Sequence, residues 1–239
     1  MIVFHMGAVI AAVYVLAAVL PAVLLMRYIY RQDKVEHEPL PLLASLVVCG
    51  VLSALASIVL EDIAGRLLDA LVSDRGKAYI ILLAFLVVGA VEEGTKFLLL
   101  KWRTWKAPQF NYRFDGVVYA VFVSLGFAAY ENIQYVCAYG LSVALPRALL
   151  AIPAHMGFAV FMGAFYGRAR QCENWGDNVG RKINLWVGYL LAVILHGFYD
   201  ACAMIGTTLS TLLFAAFVIA MYVIVTRLIR REARTDHPV

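Results

Sequence analysis

At 239 residues, 63% hydrophobic and only 15% charged, with a mean hydropathy of +0.82, the chain is too apolar for a water-soluble domain of its length. This composition excludes a soluble enzyme and defines an integral membrane protein. The formal charge of +4 gathers in loops, so it reads as membrane topology next to anionic lipid and does not argue for a nucleic-acid partner.

Seven apolar stretches, each near the roughly 20 residues needed to cross about 30 Å of hydrocarbon, are predicted at 2–26, 40–60, 78–100, 115–138, 144–166, 183–205 and 207–227. The expected fold is an all-α polytopic bundle of about seven transmembrane helices. The expected organisation is a single integral membrane domain, 1–239, whose chemistry-bearing core spans about 78–205. The first stretch has no Lys or Arg before its apolar run and is too long for a signal-peptide core, so it is kept as a helix. Beyond the second, residues 61–77 set Ile63, Leu67, Leu68 and Leu71 at helical spacing among charges. That leaves two readings, a short interfacial helix or a solvated loop.

The third stretch carries Glu92, Glu93 and Lys96. The helix is expected to continue as far as Trp105 before Pro108 stops it. In the fourth, Gly116, Ala120, Ser124 and Ala128 form a small-residue stripe ending at Asn132, which should hold Asn132 and Glu131 against the bundle interior. The fifth contributes His155 and the spacing Gly163-x-x-x-Gly167. The sixth contributes His196 and Asp200 at i,i+4, the separation at which two side chains of one helix reach one metal ion or each other. The first two helices and the last are scaffold.

Positive charges alternate with the spans. Arg27, Arg31 and Lys34 follow the first, Lys101, Arg103, Lys106 and Arg113 the third, and Arg168, Arg170, Arg181 and Lys182 the fifth, while Arg227, Arg230, Arg231 and Arg234 close the chain. The intervening loops are acidic or nearly uncharged, with Arg147 alone in one of them. This pattern places the N-terminus outside and the C-terminus in the cytoplasm, in a cell membrane crossed many times. Cys49, Cys137, Cys172 and Cys202 are scattered and imply neither a disulfide framework nor a zinc-thiolate site.

An ionisable group at mid-membrane costs about 2.5–3.5 kcal/mol on insertion scales, so each one is a functional candidate. Counting a rise of about 1.5 Å per residue from the basic loops, His155 and His196 lie about 20 Å deep and Asp200 and Glu131 about 27 Å. Lys96 shares a face with Glu92 and Glu93 and offsets part of their burial. An ion pair fixing helix packing, a packing histidine and an interhelical polar clamp remain alternatives for each group taken singly. Four helices placing acids and imidazoles in one layer is a poor way to gain stability alone. Two His with several carboxylates and no thiolates is the donor set of a catalytic zinc (Zn2+) or similar divalent site, with a carboxylate as general base. The same residues permit metal-free hydrolysis, with glutamate activating water and imidazole and Asn donors holding the oxyanion. An H-E-x-x-H motif, a rhomboid-type serine motif and an aspartyl Gly-x-Gly-Asp partner are all absent.

"EEGTK" at Glu92–Lys96, "FAAYEN" at Phe127–Asn132, the helix led by His155 and "HGFYD" at His196–Asp200 resemble, in order, the four motifs of PrsW-type intramembrane proteases, distantly similar to the CAAX prenyl protease superfamily. The resemblance covers roughly Gly89 to Ala201. It implies a membrane-embedded, metalloprotease-like enzyme that cuts a membrane-anchored substrate such as an anti-sigma factor, starting a cascade that frees a transcription factor for a stress response. By that likeness Glu92 and Glu93 supply the general base and a ligand, His155, His196 and Glu131 or Asp200 surround the metal, and Lys96 and Asn132 orient groups or donate hydrogen bonds. One departure is that the second motif carries Glu131 and Asn132 where the CAAX type has a His. The depth of Glu131 and Asp200 predicts cleavage near the outer membrane boundary. An ion-coupled transporter or a non-catalytic helix-binding scaffold are the competing classes; the first would be expected to show repeat-related halves or broken helices, and the sequence shows neither.

Overall fold

The computed structural model describes residues 2–239, with side chains from residue 11 onward. Its helices are α1 (Ile2–Gln32), α2 (Leu40–Leu71), α3 (Lys77–Leu82), α4 (Ala90–Thr104), α5 (Asp115–Tyr139), α6 (Ala144–Leu149), α7 (Ala151–Asn174), α8 (Asn178–Ile205) and α9 (Thr208–Arg234). A π-helical segment, Leu83–Gly89, welds α3 to α4, and a 3-10 turn, Leu141–Val143, leads into α6. Among the described residues there is no strand, only an isolated bridge between Tyr112 and Pro238. Seven segments are long and apolar enough to cross a membrane, as expected.

The helices overrun the apolar stretches because hydropathy marks the part that sits in lipid, whereas the hydrogen-bonded helix continues into water. Residues 61–71 belong neither to a separate interfacial helix nor to a loop. They extend α2 to 32 residues, about 48 Å at 1.5 Å per residue. Asp62 and Arg66 pair at i,i+4 (3.0 Å) on this overhang, and Leu68 packs with Tyr79 and Val87 to hold it against the next span. The third span ends as expected, with Trp105 N–H capping onto the Lys101 carbonyl (3.0 Å).

The fifth span is not one helix. Leu150 (φ −115°, ψ −61°) separates α6 from α7. The reason lies in Pro153, which has no N–H to give the Leu149 carbonyl; the Tyr222 hydroxyl of α9 donates to that carbonyl instead. Beyond the break α6 packs against α1 and α5 as well as α7, with Arg147 on it reaching Glu131 (3.0 Å).

At the centre stands α5, apolar on every side and buried along most of its length, with α1, α2 and α7 packed around it. The predicted small-residue stripe is the face it turns to α7. There the helices approach so closely that a Cβ on Gly116 would lie 2.7 Å from the Gly163 carbonyl oxygen. Ser124, in the same stripe, donates to the backbone carbonyl of His155 (2.9 Å). The stripe thus sets the depth of α7, and through it the position of the first imidazole. At the end of the bundle where α4 stops and α5 starts, the C-terminal segment is stitched to their connection: Arg113 N–H donates to the His237 carbonyl (3.1 Å) and Phe114 N–H to Asp236 Oδ1 (2.9 Å). Glu232 bridges Arg113 (2.8 Å) and Arg168 (3.2 Å).

Candidate active site

Glu92 and Glu93 open α4 immediately after the π-helical segment. A π turn shifts the register of everything beyond it, and here it aims two successive carboxylates inward. The segment is pinned to α8 by close backbone contact: a Cβ on Gly197 would lie 2.9 Å from Phe85 Cα, and one on Gly89 would come within 3.2 Å of the Val193 carbonyl oxygen. His196 is next to Gly197, so this contact brings α8's imidazole to the carboxylates.

The resulting cluster is tight. Lys96 Nζ donates to Glu92 Oε2 (3.1 Å) and Glu93 Oε1 (2.8 Å), stands 3.4 Å from His155 Nδ1, and lies 3.8 Å from the centre of the Phe127 ring, a cation–π contact. Lys96 is only 2% exposed. His196 Nδ1 lies 2.9 Å from Glu93 Oε1 and its Nε2 3.9 Å from Glu92 Oε2. The two imidazoles stand perpendicular, 5.2 Å between ring centres, and Phe158 stacks on His196 at 5.0 Å. Both outer ring nitrogens meet further carboxylates: His155 Nε2 is 3.0 Å from Glu131 Oε2, and His196 Nε2 is 3.3 Å from Asp200 Oδ2.

Glu92, Glu93, His155 and His196 each offer one ligand atom, all within 4.8 Å of one another. Glu93 Oε2 is fully buried and has no hydrogen-bond donor, an unmet acceptor of the kind a cation satisfies. Carboxylate and imidazole donors suit zinc and its neighbours. The residues present therefore fit a divalent ion.

The structure brings five of the eight predicted residues, Glu92, Glu93, Lys96, His155 and His196, into one contact cluster, with Glu131 joined through His155 and Asp200 through His196. Glu131 and Asp200 stand one layer out, behind the imidazoles. Asn132 points elsewhere: its Nδ2 donates to the Ala18 carbonyl of α1 (2.8 Å) and its Oδ1 accepts from Arg147 Nε (2.8 Å). Two residues escaped the sequence reading. Arg147, read only as a loop charge, pairs with Glu131 (3.0 Å) and lies 3.8 Å from the Tyr135 ring centre; its signal was a solitary arginine in an otherwise apolar run. Glu61, one of the charges of the 61–77 stretch, faces the site from α2.

Both line a polar cavity of about 280 Å³ together with Glu92, His155, His196 and Asp200. Glu93 and Lys96 lie behind its wall. The cavity extends past Glu131 toward Gln134, Tyr135 and Met204, away from the helix ends that carry the basic loops.

An all-helical, multi-span bundle that closes a metal-competent cluster of carboxylates and imidazoles around a polar cavity between its helices defines a membrane-embedded hydrolytic enzyme. The family described as PrsW family intramembrane metalloprotease matches residues 38–228. The chain is 33% identical to a "Protease PrsW" of Clostridioides difficile over 211 residues, 87% of this chain and 86% of that protein. It is 33% identical to one of Geobacillus kaustophilus over 184 residues (77% and 76%), and 30% identical to one of Oceanobacillus iheyensis over 215 residues (90% and 94%). No solved structure matches the chain. The protein belongs to the PrsW family of intramembrane metalloproteases and is a multi-pass bacterial membrane peptidase.

Proposed function

We propose that the whole chain is one protease domain that hydrolyses a peptide bond of a membrane-anchored protein, with a zinc ion held by His155, His196 and Glu93 and with Glu92 as general base. The observation that carries this reading is the convergence of four donors from three helices on one side of a polar cavity. Glu92 lines that cavity and Glu93 does not, which divides the base from the ligand. Glu131 and Asp200, each on the outer nitrogen of an imidazole, fix ring orientation in the carboxylate–histidine–metal manner. Bound there, zinc would lower the pKa of a water and polarise the scissile carbonyl. Glu92 takes a proton from the attacking water and passes it to the departing amine nitrogen, so that the new C–O bond replaces the C–N bond. Lys96 keeps Glu92 aimed into the cavity and balances its charge, and Arg147 with Asn132 ties Glu131 to α6 and α1.

The substrate we propose is an anti-sigma factor or a similar single-span regulator. The basic helix ends support an N-terminus outside and a C-terminus in the cytoplasm. The cavity runs away from those ends, which supports cleavage near the outer boundary of the bilayer. A metal-free glutamate mechanism is favoured by one observation, the Lys96 ammonium already within 3.4 Å of three of the four donors. Elemental analysis of freshly purified, unchelated wild type beside His196→Ala decides between them. About one zinc per chain, lost in the variant, supports the metalloenzyme. Active wild-type protein without stoichiometric metal would transfer the reaction to glutamate and Lys96 alone.

A further inference from the structure

Away from the site, a second and larger groove of about 650 Å³ runs between α4 and α8 on the outside of the bundle, within the range of about 300–1,000 Å³ typical of small-molecule sites. Its α4 wall is Gly94, Phe97, Leu98 and Lys101, the i, i+3, i+4, i+7 face of one helix. Its α8 wall is Lys182, Leu185, Trp186 and Tyr189, the same spacing. The helices run antiparallel, so Lys101, in the last turn of α4, and Lys182, in the first turns of α8, meet at one end. That end is where the basic loops gather. The other end is closed where the Tyr189 hydroxyl donates to the Ala90 carbonyl (3.0 Å), beside the catalytic cluster.

The groove is therefore apolar along its length and doubly cationic at its rim. Among the described residues neither lysine pairs with a carboxylate: nearby Glu173 is taken by Arg170 and Arg181 (2.9 and 2.8 Å), and Lys101 has only the Trp105 ring at 5.8 Å. Leu98 and Trp186 are 65% and 63% exposed, facing lipid with nothing of the protein over them. We propose that this groove binds one anionic phospholipid, its phosphate between Lys101 and Lys182 and an acyl chain along Phe97, Leu98, Leu185 and Trp186. Long amphipathic lysine side chains at the membrane surface suit this task, their stems in hydrocarbon and their charges at headgroup level. Free phosphate would find the charges but leave the apolar walls bare. The lipid fills the gap between the two helices whose inner faces hold Glu93 against His196, so it braces the catalytic pair from behind.

The test is native mass spectrometry of the full chain, delipidated in detergent and titrated with phosphatidylglycerol or with phosphatidylcholine of the same acyl chains. Wild type should retain one phosphatidylglycerol with at least about tenfold preference, unaffected by millimolar inorganic phosphate. Lys101→Gln with Lys182→Gln should bring the preference within about twofold, whereas Lys34→Gln with Lys106→Gln, which removes the same charge from basic segments that do not line the groove, should not. Leu98→Trp, which fills the acyl track and leaves both charges, should lower retention as well. Equal retention of the two lipids by wild type, an undiminished preference in the Lys101/Lys182 pair, or full retention by Leu98→Trp would overturn the proposal.

Discussion

His196 Nδ1 lies 2.9 Å from Glu93 Oε1, a contact between residues 103 apart in the chain. Both side chains are almost fully buried, and each is delivered by a local irregularity: the π-helical segment before α4, and the glycine beside His196 that lets α8 close on Phe85. Residues held together this way should act as a unit. Glu93→Gln and His196→Gln should each lower the rate of substrate cleavage by at least about 10²-fold, and the double variant should be little worse than either one, as expected of coupled groups. Reporter cleavage in reconstituted vesicles measures this, with circular dichroism to show that the fold persists.

Base and ligand separate in a second experiment. Glu92→Gln should abolish turnover by about 10²–10⁴-fold while zinc content stays near wild type, because Glu92 faces the cavity. Glu93→Gln should lose both. Zinc analysis alongside activity reads the difference, and equal zinc loss in the two variants would remove the assignment of Glu92 as base.

Arg147→Gln tests the residue that folds back from α6. Its guanidinium pairs with Glu131 (3.0 Å) and donates to Asn132 Oδ1 (2.8 Å), and its loss leaves the buried Asn132 oxygen unmet and Glu131 with His155 alone. The expected cost is about 1–3 kcal/mol, seen as a lower midpoint of thermal unfolding in detergent. An unchanged midpoint would show that α6 is held by its apolar contacts alone.

Two glycines should respond in opposite directions. A Cβ on Gly163 would lie 2.6 Å from Val117 Cα, so Gly163→Val forces α5 and α7 apart and displaces His155, at a cost of about 1–3 kcal/mol or more. Gly65, inside α2 with nothing within 4 Å of its would-be Cβ, is free of such contact, and Gly65→Ala should stabilise by about 0.5–1 kcal/mol through helix propensity. Fluorescence-detected size-exclusion chromatography after a heat step ranks all three proteins.

Outside the membrane spans, Asp33 gives a pH dependence. Burial, followed by the neighbouring carboxylates Glu38, Asp236 and Glu36, pushes its carboxyl up to about 7. The native state then holds a proton that the unfolded chain releases near the ordinary carboxylate value. This contribution is present at low pH and declines as pH rises from about 4 to about 7. The unfolding midpoint should fall between pH 5 and pH 8, and Asp33→Asn should flatten that slope. A wild-type midpoint that rises over the same window would contradict it.

The sequence by itself determined the solvent, the seven spans and the candidate residues, because hydropathy and the cost of burying charge act locally and leave their mark on each stretch of chain. It also ordered Glu92, Glu93, His155 and His196 in motifs whose i,i+3 and i,i+4 spacings fix which side chains share a helix face. Only the tertiary structure decided how the faces meet. The two carboxylates reach His196 through a π segment that hydropathy cannot register, since the same apolar residues serve an α or a π turn. Asn132 turned to Ala18 and Arg147 because its partners lie on α1 and α6, and no spacing within α5 encodes them. Glu61 and Arg147 joined the site for a matching reason: an overlong α2 and a proline-broken span carried charges, legible only as loop residues, back over the cavity.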